Sequence, residues 1–170
     1  GSSRSGTTMM GRILGKHPDV FTFKELHFFG TIWTNCTESI LDKKQQIHLL
    51  SRLFCIQQNG LFRQDNISDF HERASNVLAN KNVSSPISLY ELFLSELTSD
   101  NMSYIACDQT PKNIYYLSEI LSYFPDAKVV NMVRDQRDVL LSQKNKWKRR
   151  FLGASTIPFS EAIRSYINYH

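Results

Sequence analysis

The sequence predicts an α/β fold, a parallel sheet with a helical insertion, and three stretches carry that expectation. Residues 104–107 (YIAC) and 128–133 (KVVNMV) read as short apolar strands on either side of a helix at 111–124. Strand, helix and strand within about thirty residues make a βαβ unit with a parallel pair. Residues 38–98 carry apolar side chains at helical spacing almost throughout, which gives the insertion. Residues 1–8, GSSRSGTT, form a loop of Gly, Ser and Thr that runs straight into a helix.

Each element has its own local reason. Met9, Met10, Ile13 and Leu14 lie on one helical stripe, and His17-Pro18-Asp19 ends it. Residues 20–23 are a short apolar run and read as a strand. Ile40, Leu41, Ile47, Leu50, Leu53, Phe54 and Gln57 recur mostly at helical spacing across 38–58. Ile67, Phe70, Ala74, Val77 and Leu78 repeat the pattern across 66–80. Ser85 is placed as an N-cap with Pro86 at the first helical position, and Ile87, Tyr90, Phe93, Leu94 and Leu97 form the buried stripe that follows. Ile114, Leu117, Ile120 and Leu121 are expected to face inward from the helix at 111–124, which Pro125-Asp126 stops. The β-branched run at 128–133 is expected to be buried on both faces. Asp135 or Asp138 then opens a last helix carrying Val139, Leu140 and Leu141.

Composition limits the function classes. With 170 residues the chain is expected to be a single domain, residues 1–170, with 38–98 as an insertion within it. Hydrophobic residues at 41% and charged residues at 21% exclude a disordered chain. No apolar run is long enough to span a membrane, and no signal peptide is visible. Cys36, Cys55 and Cys107 are odd in number and lack CxxC spacing, so neither a disulfide framework nor a metal site is expected, and a reducing compartment is the default. Asn35, Asn66, Asn82 and Asn101 begin N-x-[ST] sequons, of the order chance gives here. The net charge of +4 favours an anionic ligand. Lys144, Lys146, Lys148, Arg149 and Arg150, with Trp147 among them, read as a solvated helix end or a contact to an anionic acceptor. The run is too short to argue for nucleic acid.

The opening loop has the frame G-x-x-x-x-G-x-[ST], a P-loop-like nucleotide-binding core. Two glycines let successive backbone N–H groups turn inward, and the helix N-terminus adds partial positive charge. Thr7 and Thr8 can donate from their hydroxyls. A Walker A loop needs Lys where Thr7 stands; here the cation is Arg4, inside the loop. Residues 128–133 end in Arg134 rather than in a magnesium-holding acid. Two other readings fit the same loop: a nucleotide kinase or phosphotransferase with a degenerate Walker A, and a non-catalytic nucleotide-binding module.

Four motifs in order resemble those of the PAPS-dependent sulfotransferases, in the carbohydrate, tyrosylprotein and bacterial-type branches. They are RSGTTMMGRILGKHPDVF at 4–21, KELHFF at 24–29, Gln109-Thr110-Pro111, and VVNMVRDQRDVLLSQ at 129–143. The third motif usually carries Lys where Gln109 stands. The resemblance implies sulfuryl transfer from 3′-phosphoadenosine-5′-phosphosulfate (PAPS) to an acceptor hydroxyl or amine, in line and without a metal, leaving PAP. It implies that Arg4, Ser5, Gly6, Thr7 and Thr8 hold the 5′-phosphosulfate and that Arg134 and Ser142 hold the 3′-phosphate. Glu25 is then the general base, with His27 orienting the acceptor or sharing the proton and Arg4 stabilising the leaving oxygen. Asp108 is the next candidate base. Arg137 and Asp138 are expected to form a local pair. The family fold begins with a strand before Gly1 and continues past a helix at 159–169, so the chain reads as the amino-terminal part of a catalytic domain. The acceptor is open among carbohydrate, peptide and small metabolite. A bacterial cytoplasm is favoured and a Golgi lumen also fits.

Overall fold

The computed structural model describes residues 4–34 and 40–150, with side chains through 145. Ser2, Ser3, Asn35, Cys36, the helix start at Glu38, the side chains from Lys146 to Arg150 and the helix at 159–169 lie outside the described residues. The chain divides into two compact units, one of residues 1–7 with 128–170 and one of residues 8–127.

In the second unit the order is α1 (Thr7–Leu14, whose first residue lies in the other unit), β1 (Val20–Thr22), α2 (Lys43–Asn59), α3 (His71–Leu78), α4 (Pro86–Asp100), β2 (Ile105–Cys107) and α5 (Leu117–Tyr123). Single 3₁₀ stretches precede α3 at Ile67–Phe70 and α5 at Pro111–Tyr116. β1 and β2 pair in parallel, Val20 opposite Ile105 and Thr22 opposite Cys107. A parallel pair needs a long crossover, and α2, α3 and α4 supply it. The fold is α/β, built on this small parallel sheet.

Local chemistry sets the helix starts. Asp42 accepts from the Gln45 amide while the Gln45 side chain accepts from the Asp42 amide, so α2 begins at Lys43, later than the apolar spacing indicates. Ile40 falls before that cap and is exposed. Ser85 caps α4 with Pro86 behind it, where the sequence puts them. The 3₁₀ turn at Pro111–Tyr116 advances three residues per turn instead of 3.6. That shifts the inward face to Tyr116, Ile120 and Phe124, and leaves Ile114 and Leu121 exposed.

The α1 stripe is only partly covered, and one expected strand is overturned. On α1, Met9 is 61% exposed and Ile13 is exposed, whereas Gly11 is buried. The helix lies close against β1: the Thr22 hydroxyl donates to the Gly11 carbonyl at 2.9 Å. A Cβ on Gly11 would sit 2.6 Å from Gln109 Oε1 and 2.9 Å from Thr22 Cγ2, so a larger residue here requires these side chains to shift. Residues 128–133 form no strand; Val129 and Val130 are exposed and Val133 is 83% exposed. A β-branched run is stabilised by a neighbouring strand on a pleated surface, and among the described residues none pairs with it.

The core joins the segment after β1 to the helical block. Phe23, Leu26, Phe28, Phe29 and Trp33 are buried with Leu50, Leu53 and Phe54 of α2, Leu78 of α3, and Leu89, Tyr90 and Phe93 of α4. Phe28 stacks on Tyr90 at 4.1 Å between ring centroids, and Phe23 lies 5.6 Å from Phe93. Arg73 covers the Phe54 ring at 4.4 Å. Residues 23–29 are irregular backbone, yet four of them are anchored in this core.

In the first unit α6 (Gln136–Arg150) is opened by Asp135. Its carboxylate accepts from the Arg137 amide at 2.9 Å, and its carbonyl accepts from the Val139 amide. The Arg137 guanidinium binds the same carboxylate at 2.7 Å and, with the amide, holds its pKa below the usual carboxylate value.

Candidate functional site

The phosphate-type loop enters α1 through two residues in the left-handed region, Arg4 at φ 73° and Gly6 at φ 97°. Ser5, between them, is buried. Thr7 and Thr8 form the first turn of α1, where backbone N–H groups lack intrahelical partners.

Arg4, Arg134 and Ser142 come together within the first unit. Arg4 Nε donates to Ser142 Oγ at 2.9 Å, and Arg134 Nη1 donates to the Arg4 carbonyl at 3.3 Å. Arg134 Nη2 also lies 3.5 Å from Asp138 Oδ2. The spacing explains the grouping. Positions 134, 138 and 142 are four residues apart, so Asp138 and Ser142 share one face of α6 and Arg134 stands just before its first turn. The expected Arg137–Asp138 pair does not form; Arg137 binds Asp135 and Asp138 binds Arg134, because Asp135 already holds the Arg137 amide as a cap.

Glu25 and His27 meet in the second unit, but not as neighbours on a strand. β1 ends at Thr22, and His27 has φ 52°. Their side chains converge because Leu26 and Phe28, on either side of His27, are anchored in the core and this turn swings the imidazole back. His27 Nε2 lies 3.4 Å from Glu25 Oε2; the His27 side chain is 14% exposed and that of Glu25 44%. The backbone amide of His27 donates to Thr110 Oγ1 at 3.2 Å. Lys24, beside them, donates its ammonium to the Gln58 carbonyl at the end of α2.

Asp108 carries a network that the sequence alone signals only by its place before Gln109-Thr110-Pro111. Its Oδ1 accepts from the Thr110 amide at 2.9 Å and the Thr110 hydroxyl at 2.7 Å. Its Oδ2 accepts from Tyr90 Oη at 2.8 Å and Asn113 Nδ2 at 2.9 Å. Four donors occupy this carboxylate, which makes it a brace behind Thr110 and His27. Burial pushes the Tyr90 hydroxyl pKa well up, and the Asp108 charge and hydrogen bond add to it, so Tyr90 remains a neutral donor. Gln109 donates from Nε2 to the Phe23 carbonyl at 2.9 Å, fixing the backbone just before Glu25.

No helix among the described residues is long and apolar enough to cross a membrane. Comparison with curated proteins and with solved structures finds no match. Comparison with known families gives a match over residues 1–167 to the one described as the sulfotransferase family. That span takes in the left-handed loop, the Glu25–His27 turn, the Asp108 brace and the Arg134–Ser142 helix face, and the chain belongs to the sulfotransferase family.

Proposed function

We propose that the chain transfers a sulfuryl group from PAPS to an acceptor hydroxyl or amine. One observation carries the choice of donor: Arg4 lies 130 residues or more from Arg134 and Ser142 in sequence, and the fold gathers the two guanidiniums and the hydroxyl at one loop. Such a donor set fits a nucleotide with phosphate at both its 3′ and 5′ positions. The left-handed residues at 4 and 6 and the open N–H groups of α1 suit the 5′ end.

PAPS supplies an activated sulfuryl group and, in PAP, a stable leaving group. The chain supplies the rest. Glu25 accepts the proton of the attacking acceptor, and His27 at 3.4 Å orients that carboxylate or passes the proton on. Arg4 neutralises charge that develops on the leaving oxygen. Ser5, Gly6, Thr7 and Thr8 bind the 5′-phosphosulfate, and Arg134 with Ser142 binds the 3′-phosphate. The acceptor is a carbohydrate, a peptide or a small metabolite.

Calorimetry with PAP, ATP and GTP tests the donor. Tight PAP binding with weak ATP and GTP binding is expected, and turnover should survive EDTA; a preference for ATP or GTP with magnesium dependence would replace the reading with phosphoryl transfer. Arg134→Ala should weaken PAP by about 1.5–3 kcal/mol, the worth of a hydrogen bond between charged groups. It should weaken adenosine 5′-phosphosulfate, which lacks the 3′-phosphate, far less. Equal losses for the two ligands would remove Arg134 from the 3′ site. Gly6→Ala should cost about tenfold in PAP affinity, since an L-residue in the left-handed region is strained by roughly 1–2 kcal/mol. Unchanged affinity would show that the loop is not the anion cradle.

A further inference from the structure

We infer that Gln57 and Gln109 are positioning residues for Glu25: their side-chain amides grip the two polar groups of the peptide that joins Phe23 to Lys24, and so fix the backbone leading to the base. The inference rests on the reading of Glu25 as general base and deepens it. β1 ends at Thr22, and the Phe23 amide still donates to the Cys107 carbonyl of β2 at 2.9 Å. The next peptide is held by side chains instead. The Phe23 carbonyl accepts from Gln109 Nε2 at 2.9 Å, and the Lys24 amide donates to Gln57 Oε1 at 2.9 Å. A glutamine amide offers the same donor and acceptor as a peptide, so these two side chains stand where neighbouring strands would. Gln57 comes from the last turn of α2, and the Lys24 ammonium on the Gln58 carbonyl adds a second hold from that turn.

Residues 23–29 are irregular backbone, so no strand ladder sets the direction of Glu25. A peptide bonded at both its N–H and its C=O cannot rotate without losing both bonds. Glu25 therefore lies between two fixed points, this peptide on one side and the fully buried Leu26 on the other. Gln109 keeps its place at a cost. Its Oε1 is buried without a hydrogen-bond partner among the described residues, which lowers stability. An amide retained there is explained by the bond that its other end makes. The motif usually carries Lys at position 109, so the paired glutamines are a feature of this chain.

Turnover with PAPS in excess, read beside PAP affinity, tests the inference. Gln57→Met keeps the length of the side chain and removes the acceptor. It should lower kcat about tenfold, the scale of a small misplacement of a reacting group, and leave PAP affinity within about twofold. Gln109→Met removes the donor on the other side and should act in the same way. Gln57→Glu, which keeps an acceptor for the Lys24 amide, should restore most of the rate. Should Gln57→Met fail to fold, the equal-shaped pair Gln57→Glu and Gln109→Glu takes its place: only the second loses the atom its bond needs, so only the second should lose rate, and equal rates overturn the inference. In a Glu25→Gln background Gln57→Met should cost no further rate, because the effect passes through Glu25. A full further loss there overturns the inference, and so does a Gln57→Met variant that loses stability in urea and keeps its kcat. A Glu25→Gln variant that turns over like the wild type overturns the base reading itself, an outcome seen before either glutamine is changed.

Discussion

Glu25→Gln is expected to lower turnover by about 10²–10⁴-fold, the range for loss of a general base, and to leave PAP affinity within about twofold. Glutamine keeps the shape and the hydrogen bonding of Glu25 but cannot take a proton. The proton moves only as the acceptor attacks, so the loss falls on the transition state and spares the bound nucleotide. The turn itself should survive, because it is held by Leu26 and Phe28 in the core and by the His27 amide on Thr110. The assay needs PAPS in excess and an acceptor on which the wild type turns over. If Glu25→Gln keeps its rate while His27→Ala loses it, the imidazole is the base and the carboxylate orients it. If both keep their rates, the proton leaves elsewhere. Asp108 is a poor substitute, since four donors already fill its oxygens.

Asp108→Ala should destabilise the protein by about 3–5 kcal/mol, the cost of stripping a hydrogen-bonded charge from donors that remain buried. The Tyr90 hydroxyl, the Thr110 amide and hydroxyl, and Asn113 Nδ2 all lose their acceptor at once. Tyr90 cannot turn to water, because its ring stacks on Phe28 and is buried. Urea unfolding checks this, and a loss under about 1 kcal/mol would mean that the network is dispensable. Tyr90 adds a pH signature. Its folded pKa is raised above the ordinary 10.0. The folded state therefore holds the proton after the unfolded state has lost it, and stability falls as pH rises from about 10 through the folded value. Tyr90→Phe should flatten that alkaline fall.

What the sequence made legible was whatever depended on neighbours in the chain. Ser85-Pro86 announces α4 because a cap and a preset φ act over one turn. RSGTT announces a loop followed by a helix for the same reason, and the spacing of 134, 138 and 142 sets Arg134, just before α6, against the face that carries Asp138 and Ser142. Features that depend on distant partners were not legible. Residues 128–133 have strand composition, but composition cannot supply a neighbouring strand. The period draws the stripe on α1 but does not show which part of the helix is covered, because the decisive contact is the close approach of Gly11 to Thr22 and Gln109. The sequence points to Glu25 and His27 by their place in KELHFF, yet the turn that joins them follows from φ 52° at His27 and from a clamp at Thr110, over eighty residues away.

The packing of Gly11 also constrains how this protein can change over generations. A methyl group at position 11 meets Gln109 Oε1 at 2.6 Å and Thr22 Cγ2 at 2.9 Å, so alanine there forces both neighbours to shift. Shorten residues 109 and 22 first, and the same alanine enters with less obstruction. Gln109 is itself tied to the Phe23 carbonyl, two residues before Glu25, so a change at 109 also disturbs the backbone that leads to the proposed base. Positions 11, 22 and 109 thus form one epistatic unit: the fitness of each substitution depends on the order in which the others arrived.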